Sequence, residues 1–519
     1  MSSTLCSALR QIPQELKFGT SGRRGRVVSL TQLEIYLNVF GELRYLQTLA
    51  PSEGGIQPGE AFYIAHDLRP TSTRFDPEQQ GRGEICQAVA EAVRDAGMRP
   101  VHAGAIPTPA LASFAWAHGK GSIMVTGSHI PFDWNGYKLN TSRGELAKQL
   151  EAPIGESVAA VRERLYDEAA ADSKFDADGR LKTGHAELPA PEPDVRAAYV
   201  RRYTDFFAGR SLGGLRVLLY EHSAVGRDLL REILESLGAE VVGAGRSETF
   251  VPIDTEAIDD AALAGIQKLA DGAGHLDAIV STDGDSDRPL ILGLDPAGSV
   301  RFFPGDIVGM VVADYLGADA VVVPVSCNDA IDRGRLAPVL EPKTRIGSPY
   351  VIGGMEAARA RGRRAVCGWE ANGGFLVGSD IVREGRTLSA LPTRDAVLPI
   401  LAVLFAAREK GLTLPALFDE LPPRFTVSTL IRNFPRPVGL RLVAETPATE
   451  FEPVFGAVVG TDLTDGLRIT FRGGDILHLR PSGNADEFRI YACADTRERA
   501  AEITRLGAKV VARLGGNLQ

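Results

Sequence analysis

Apolar runs of strand length alternate along most of this chain with amphipathic stretches that close on glycine. One phrase recurs three times: A-V-R-D-A-G-M-R-P-V-H-A-G around Gly97 and Gly104, I-L-E-S-L-G-A-E-V-V-G-A-G around Gly238 and Gly245, and E-A-A-R-A-R-G-R-R-A-V-C-G around Gly362 and Gly368. In each, a helical run ends at a glycine suited to the left-handed position past a helix end, and a valine-rich segment suited to a buried strand follows. The first two copies come after an apolar strand, A-F-Y-I-A-H-D or L-R-V-L-L-Y-E-H; for the third, the strand A-D-A-V-V-V-P-V-S lies further upstream. Helices alternating with strands predict layered α/β units with largely parallel sheets. The recurrence is read either as one domain plan repeated or as a phrase common to any α/β protein.

The pattern breaks twice. A-E-L-P-A-P-E-P-D, Ala186 to Asp194, is proline-rich, acidic and without apolar period, and predicts a linker after a first domain. Beyond about residue 421 the texture changes to strands with tight turns, as in L-R-I-T-F-R-G-G-D-I-L-H-L, where Gly473-Gly474 suits a hairpin, and a helical run closes the chain. That predicts an α+β tail.

Composition sets limits. With 519 residues the chain is too long for one core and predicts about three to five domains. A hydrophobic content of 44%, a charged content of 24% and a mean hydropathy of -0.03 describe a folded protein rather than a disordered one. The net charge of -9 argues against a general nucleic-acid binder, which needs a basic surface, but leaves room for local arginine and lysine groups that hold small anions. Five scattered cysteines without a C-x-x-C pair read as reduced thiols. The N-terminal stretch has no charged region followed by a long apolar run, and no 18-residue apolar stretch occurs, so a cytoplasmic protein without membrane attachment is expected.

The sharpest chemical feature is D-G-D-S-D-R, Asp283 to Arg288, between two apolar strands. Carboxylates at i, i+2 and i+4 on one loop would repel by about 4 kcal/mol per pair at 4 Å and intermediate dielectric. A hard divalent cation such as magnesium would relieve this, with room in its shell for a phosphate oxygen. A calcium EF-hand is excluded by Arg288 and Leu294 at its glycine and glutamate positions. A solvated acidic turn is the plainer alternative.

Ser128, in V-T-G-S-H-I-P, follows a strand, but Ile130 stands where the esterase G-x-S-x-G elbow needs glycine, which disfavours hydrolase chemistry. R-P-S-G-N (Arg480 to Asn484), with Arg489 beyond it, combines guanidinium, hydroxyl and backbone amides as a phosphate dianion requires. In F-G-T-S-G-R-R-G, Gly22 and Gly25 would let backbone approach an anion, and Arg23-Arg24 supply charge or form a solvated pair. G-W-E-A-N-G-G-F offers Glu370 and Asn372, a carboxylate and an amide suited to sugar hydroxyls.

These five phrases, in this order and spacing from about residue 18 to residue 491, resemble the α-D-phosphohexomutase family of phosphoglucomutases and phosphomannomutases. The resemblance implies three similar α/β domains with mixed, largely parallel sheets plus a C-terminal α+β domain around a central active-site cleft. The expected spans are 1–190 with a phosphoserine loop, 191–300 with a metal loop, 301–420 with a sugar loop and 421–519 with a phosphate loop. It further implies Ser128 as the phosphoserine with His129 beside it, and one Mg2+ on Asp283, Asp285, Asp287 and the phosphoserine. Arg24 matches the arginine of the N-terminal loop. Lys138 matches a lysine implicated in proton transfer, a candidate general base if cations around it make it less basic. Substrate contacts fall on Arg288, Glu370, Asn372, Arg480, Ser482, Gly483, Asn484 and Arg489.

The implied activity moves a phosphoryl group between the 1- and 6-positions of glucose or mannose phosphates through a sugar 1,6-bisphosphate, which also serves as activator. The implied partners are small hexose phosphates, with no nucleic acid or membrane, and a monomer or small homo-oligomer. The sequence departs from the family at Gly127 and Ile130, in T-G-S-H-I-P where T-A-S-H-N-P is common, which should alter the stiffness of the serine loop. Asn484-Ala485 replace threonine-glutamate. At the sugar loop, Asn372 replaces serine and Gly374 stands where many phosphomannomutases and the glucosamine mutases have histidine; glycine there is closer to the phosphoglucomutase pattern, which leaves the preferred hexose open. Two rival readings are a non-catalytic sugar-phosphate-binding descendant and a magnesium-dependent sugar phosphatase using an aspartate nucleophile.

Overall fold

A computed structural model describes residues 3–19, 22–80, 82–482 and 486–518. Four main sheets organise them, and the first three share one plan. In the first, Ser122–Val125, Ala61–His66 and Arg99–Ala105 run parallel, and Trp134–Asn140 folds back antiparallel on Ser122–Val125, with Arg23–Arg26 outside it. In the second, Ala278–Thr282, Arg216–Tyr220 and Glu240–Ala244 run parallel, and Pro289–Leu294 folds back on Ala278–Thr282, with Val300–Phe303 outside. In the third, Val366–Trp369 pairs parallel with Ala320–Val322, and Phe375–Val377 folds back on it, with Leu391–Asp395 beyond. The remaining parallel edge is reduced to single bridges, Val321 with Leu340 and Pro324 with Thr344.

The strands that feed the hairpins, Ser122–Val125, Ala278–Thr282 and Val366–Trp369, are buried along their whole length. Strands covered on both faces must be nearly all apolar, which is why they read as continuous runs rather than alternating ones. Each hairpin loop therefore leaves the sheet at the same place, and the three loops at 126–133, 283–288 and 370–374 converge. One continuous core fixes their relative positions, running from Ala65 and Met124 of the first sheet through Val280 of the second to Trp369 and Phe405 around the third.

This corrects the register of the recurring phrase. Gly97, Gly238 and Gly362 do end helices with φ of 75°, 94° and 91°. The strands after the first two are edge strands, Arg99–Ala105 and Glu240–Ala244, whereas the strand after Gly362 is the hairpin strand Val366–Trp369. The third phrase thus corresponds to the second helix-to-strand crossover of the other units, at Gly119 and Gly274. Apolar pattern records that a strand is buried but not its place in the sheet.

The fourth sheet is antiparallel, in the order Phe425–Arg432, Glu487–Ala494, Ile476–Pro481, Leu467–Phe471, Val458–Asp462, and the helix Arg497–Leu518 packs against it over a separate core. Gly474 takes φ +85° in the expected hairpin turn. Arg424 ties this unit to the third by donating to both carboxylate oxygens of Asp329, at 2.7 and 3.1 Å, and to Asp495 at 2.7 Å. Residues 185–192 have no regular structure and lead into the helix Pro193–Phe206. All five cysteines are unpaired, and no helix among the described residues is long and apolar enough to cross a membrane.

Candidate active site

The serine loop leaves its strand sharply. Ser128 is 0% exposed and takes φ +54°, a conformation an L-residue holds only when its surroundings impose it. They do so here: Ser128 N donates to Thr126 Oγ1 at 2.7 Å, and Thr126 Oγ1 donates to Asp67 Oδ2 at 2.8 Å. The buried Arg69 guanidinium donates to the carbonyls of Ser128, Ile130, Pro131 and Trp134 and lies 3.8 Å from the centre of the Phe250 ring. A Cβ on Gly127 would lie 2.6 Å from Cζ and Nε of Arg69. Glycine at 127 therefore admits the group that stiffens the loop, where the sequence suggests a change in its stiffness.

The aspartate loop faces this serine. Asp283 Oδ1 accepts from the amides of Asp287 and Arg288 at 3.1 and 3.2 Å, closing a turn in which Ser286 takes φ +57°. Its Oδ2 accepts from Ser128 Oγ at 2.8 Å. Asp285 Oδ2 accepts from Thr108 Oγ1 at 2.7 Å, at the N-terminus of the helix Thr108–Ala117. The three carboxylates are buried and offer one oxygen each within 4.8 Å of one another. Burial, with Asp285 and Asp287 beside it, pushes the Asp283 carboxyl well up; burial raises the other two as well, but Arg394, Lys138 and Arg288 hold Asp287 down, and Lys138 holds Asp285 down. Asp285 Oδ1 and Asp287 Oδ1 accept no hydrogen bond among the described residues, and Arg288 Nε stands 3.5 Å from the latter. Clustered hard oxygens, two of them buried and lacking a donor, fit a divalent cation of the magnesium type.

Lys138 Nζ lies between Asp285 Oδ2 at 2.6 Å and Asp287 Oδ2 at 2.7 Å, so two carboxylates flank the lysine expected to take part in proton transfer. One sequence expectation changes here. The glycines of the N-terminal loop pack against the fold and not toward an anion: a Cβ on Gly22 would lie 2.2 Å from the Tyr137 carbonyl oxygen, and one on Gly25 would meet Leu16 and Leu30. Arg23 is likewise structural, buried with Nε donating to Glu42 at 2.6 Å. Arg24 alternates to the cleft side, where burial and the positive fields of Arg288 and Arg394 draw its guanidinium down to about 10 despite Asp285.

His129 Nδ1 is 3.3 Å from Ser128 Oγ, and burial with Arg288 and Arg24 lowers it to about 3, so the ring is neutral near pH 7. Glu370 is buried, with Oε2 accepting from Arg394 Nη1 at 3.1 Å. Asn372 spends its Oδ1 on the Gly374 amide at 3.0 Å, and its carbonyl accepts from Thr255 Oγ1 at 2.8 Å. One lone pair of the amide oxygen expected for sugar thus shapes the loop, and the side chain keeps further acceptor and donor capacity. In the fourth unit Arg480 and Arg489 pair across neighbouring strands, Arg480 Nε donates to Asp465 Oδ1 at 2.9 Å, and Ser482 N donates to the Glu487 carbonyl at 2.8 Å. Gly483 and Asn484 lie outside the described residues.

Sequence reasoning missed Arg69, Arg394, Glu145 and Glu256. Only Gly127 and Gly374, noted as departures, marked where the two arginines pack. Glu256 reaches water, yet protein surrounds it in the cleft: desolvation and Asp254 push its carboxyl up to about 7, against Arg288 and Arg489.

Models described as "Phosphoglucomutase/phosphomannomutase, alpha/beta/alpha domain I", domain II and domain III match residues 15–164, 197–295 and 304–425. The chain is 39% identical over 505 residues to a phosphomannomutase of Sinorhizobium fredii, covering 95% of this chain and 98% of the relative. It is 37% identical over 505 residues to a phosphomannomutase of Salmonella muenchen, covering 94% of each. Its fold matches the crystal structure of a putative phosphomannomutase from Thermus thermophilus with a TM-score of 0.68 at 22% identity, over 96% of this chain and 100% of that one.

Proposed function

The chain belongs to the phosphoglucomutase/phosphomannomutase family and is a phosphohexomutase, and on that premise we propose that mannose 1-phosphate and mannose 6-phosphate are its preferred pair. The two relatives at 37–39% identity, both phosphomannomutases, favour mannose over glucose. Ser128 carries the phosphoryl group between the two positions, by way of a mannose 1,6-bisphosphate that also primes the enzyme.

The observation that carries the reading is the 2.8 Å contact between Ser128 Oγ and Asp283 Oδ2, which brings a buried, conformationally fixed hydroxyl onto a cation site. Magnesium held by Asp283, Asp285 and Asp287 would supply neutralisation of the charge on the transferring phosphoryl oxygens. Arg24 and Arg288 face the same space and stabilise that charge as well, with fixed donors that need no rearrangement. His129, neutral, hydrogen-bonds the serine oxygen without adding charge. Glu370 accepts from sugar hydroxyls, and Arg480, Ser482, Gly483, Asn484 and Arg489 hold the phosphate that is not reacting. Because the bisphosphate returns its other phosphate to the same serine, this distal group accepts the sugar in two orientations. Lys138 holds Asp285 and Asp287 in position for the cation. A cytoplasmic location accords with the unpaired thiols.

The test is a coupled assay of the full chain with mannose 1-phosphate and glucose 1-phosphate in parallel, primed by the matching bisphosphate. Magnesium-dependent isomerisation with a higher kcat/KM for mannose is expected, and Ser128→Ala should lose at least ~100-fold. A higher kcat/KM for glucose would overturn the sugar preference, and no isomerisation of either would overturn the mutase reading.

A further inference from the structure

Arg394 is 5% exposed and its guanidinium spans two loops of different units: Nε donates to Asp287 Oδ2 at 3.1 Å and Nη1 to Glu370 Oε2 at 3.1 Å. Its backbone is fixed from both sides. The preceding residue, Thr393, donates through Oγ1 to Glu145 Oε1 at 2.7 Å, and Glu145 Oε2 accepts from Ser348 Oγ at 2.9 Å, tying the strand to the first unit. The following residue, Asp395, accepts from the hydroxyls of Tyr199 and Tyr203 on the helix Pro193–Phe206 of the second unit.

The stem of Arg394 passes directly over Gly374. A Cβ at 374 would lie 2.5 Å from its Cδ, 2.6 Å from its Cγ and 2.9 Å from its Cβ, closer than packed carbon atoms come. Any side chain at 374 therefore displaces the arginine from its place between the two carboxylates.

We propose that Arg394 is a positioning residue that couples cation binding on the aspartate loop to sugar recognition at Glu370, and that glycine at 374 exists to admit it. The proposal rests on the reading of Asp287 as a cation ligand and Glu370 as a sugar contact. It makes two effects of opposite sign. The guanidinium's positive charge beside Asp287 weakens binding of a second cation there, whereas its hydrogen bond aims Glu370 at the sugar. Removing it should tighten the cation and loosen the sugar.

The experiment compares the full-length wild type with Arg394→Met, Arg394→Lys, Gly374→Ala and the double variant Gly374→Ala/Arg394→Met. Mg2+ affinity of the sugar-free protein is read by calorimetry, KM and kcat for mannose 1-phosphate at saturating Mg2+, and folding by melting temperature. Arg394→Met should bind Mg2+ about tenfold more tightly while its KM rises about tenfold or more, with a smaller change in kcat. Arg394→Lys should return Mg2+ affinity to near the wild-type value without restoring KM, because one ammonium nitrogen does not reproduce the two separate guanidinium nitrogens, Nε on Asp287 and Nη1 on Glu370. Gly374→Ala should raise KM as Arg394→Met does, and the double variant should be no worse than Arg394→Met alone. An arginine that only stabilised the fold would weaken Mg2+ and sugar together, in step with the melting temperature. Unchanged or weaker Mg2+ binding in Arg394→Met, or additive losses in the double variant, would overturn the proposal. The Mg2+ titration needs no turnover. A wild type inactive on both sugars would thus defeat the functional reading by itself, and an active one with those variant results would defeat only the role of Arg394.

Discussion

Gly127 and Gly374 are silent positions whose meaning lies in residues far along the chain. Each leaves a space that a buried arginine fills, Arg69 against the serine loop and Arg394 between the aspartate and sugar loops. Glu256 shows the complementary case of a side chain set by its surroundings. Its carboxyl, pushed up to about 7 by desolvation and Asp254, is neutral below that pH and negative above it, in the fields of Arg288 and Arg489. A sugar phosphate entering the cleft meets added repulsion once Glu256 is charged. KM for mannose 1-phosphate should therefore climb as pH rises from about 6 to about 8, and Glu256→Gln should flatten that climb. A pH series of KM for both proteins checks it; parallel profiles would contradict it. Ser128, His129, the three aspartates, Arg288 and Glu370, which the fold brings together as candidates, were legible in the sequence because each lies within a short phrase. Arg69, Arg394, Glu145 and Glu256 were not, because their partners come from other segments and no local spacing encodes them.

At the scale of elements, the recurring device is a buried strand that turns into a hairpin, with the chemistry on the turn. Parallel burial makes each such strand a continuous apolar run, legible in sequence, but that same uniformity erased the distinction between edge and hairpin strands and shifted the third phrase by one crossover. The strand Leu391–Asp395 carries the tightest constraint, because Asp395 is buried and receives two tyrosine hydroxyls while also capping the following helix through Val397 N at 3.1 Å. Tyr203→Phe leaves one buried carboxylate oxygen without its donor. That should cost about 2 kcal/mol, read as a lower midpoint in denaturant unfolding, and should raise KM for the sugar phosphate because Arg394 is the next residue. A stability loss with KM unchanged would show that the strand's anchoring does not reach the guanidinium.

For the whole molecule, the first three units share one core that brings the serine, aspartate and sugar loops together, and the fourth unit is fastened to the third by Arg424. Around the aspartates, the four carboxylates of Asp283, Asp285, Asp287 and Glu370 stand among Lys138, Arg24, Arg288 and Arg394, a near balance of charge inside a chain whose net charge is -9. On the proposed reading, such a site receives a cation and a phosphoryl group together. The central claim is that this phosphoryl group rests on Ser128 and not on an aspartate. The direct measurement is peptide mapping by mass spectrometry after incubation with Mg2+ and mannose 1,6-bisphosphate, followed by a chase with mannose 1-phosphate. An acid-stable phosphate on the peptide containing Ser128, discharged to sugar in the chase and absent from Ser128→Ala, is the predicted result. An acid-labile phosphate on the Asp283–Asp287 peptide, or a Ser128 peptide that never becomes labelled, would contradict the account.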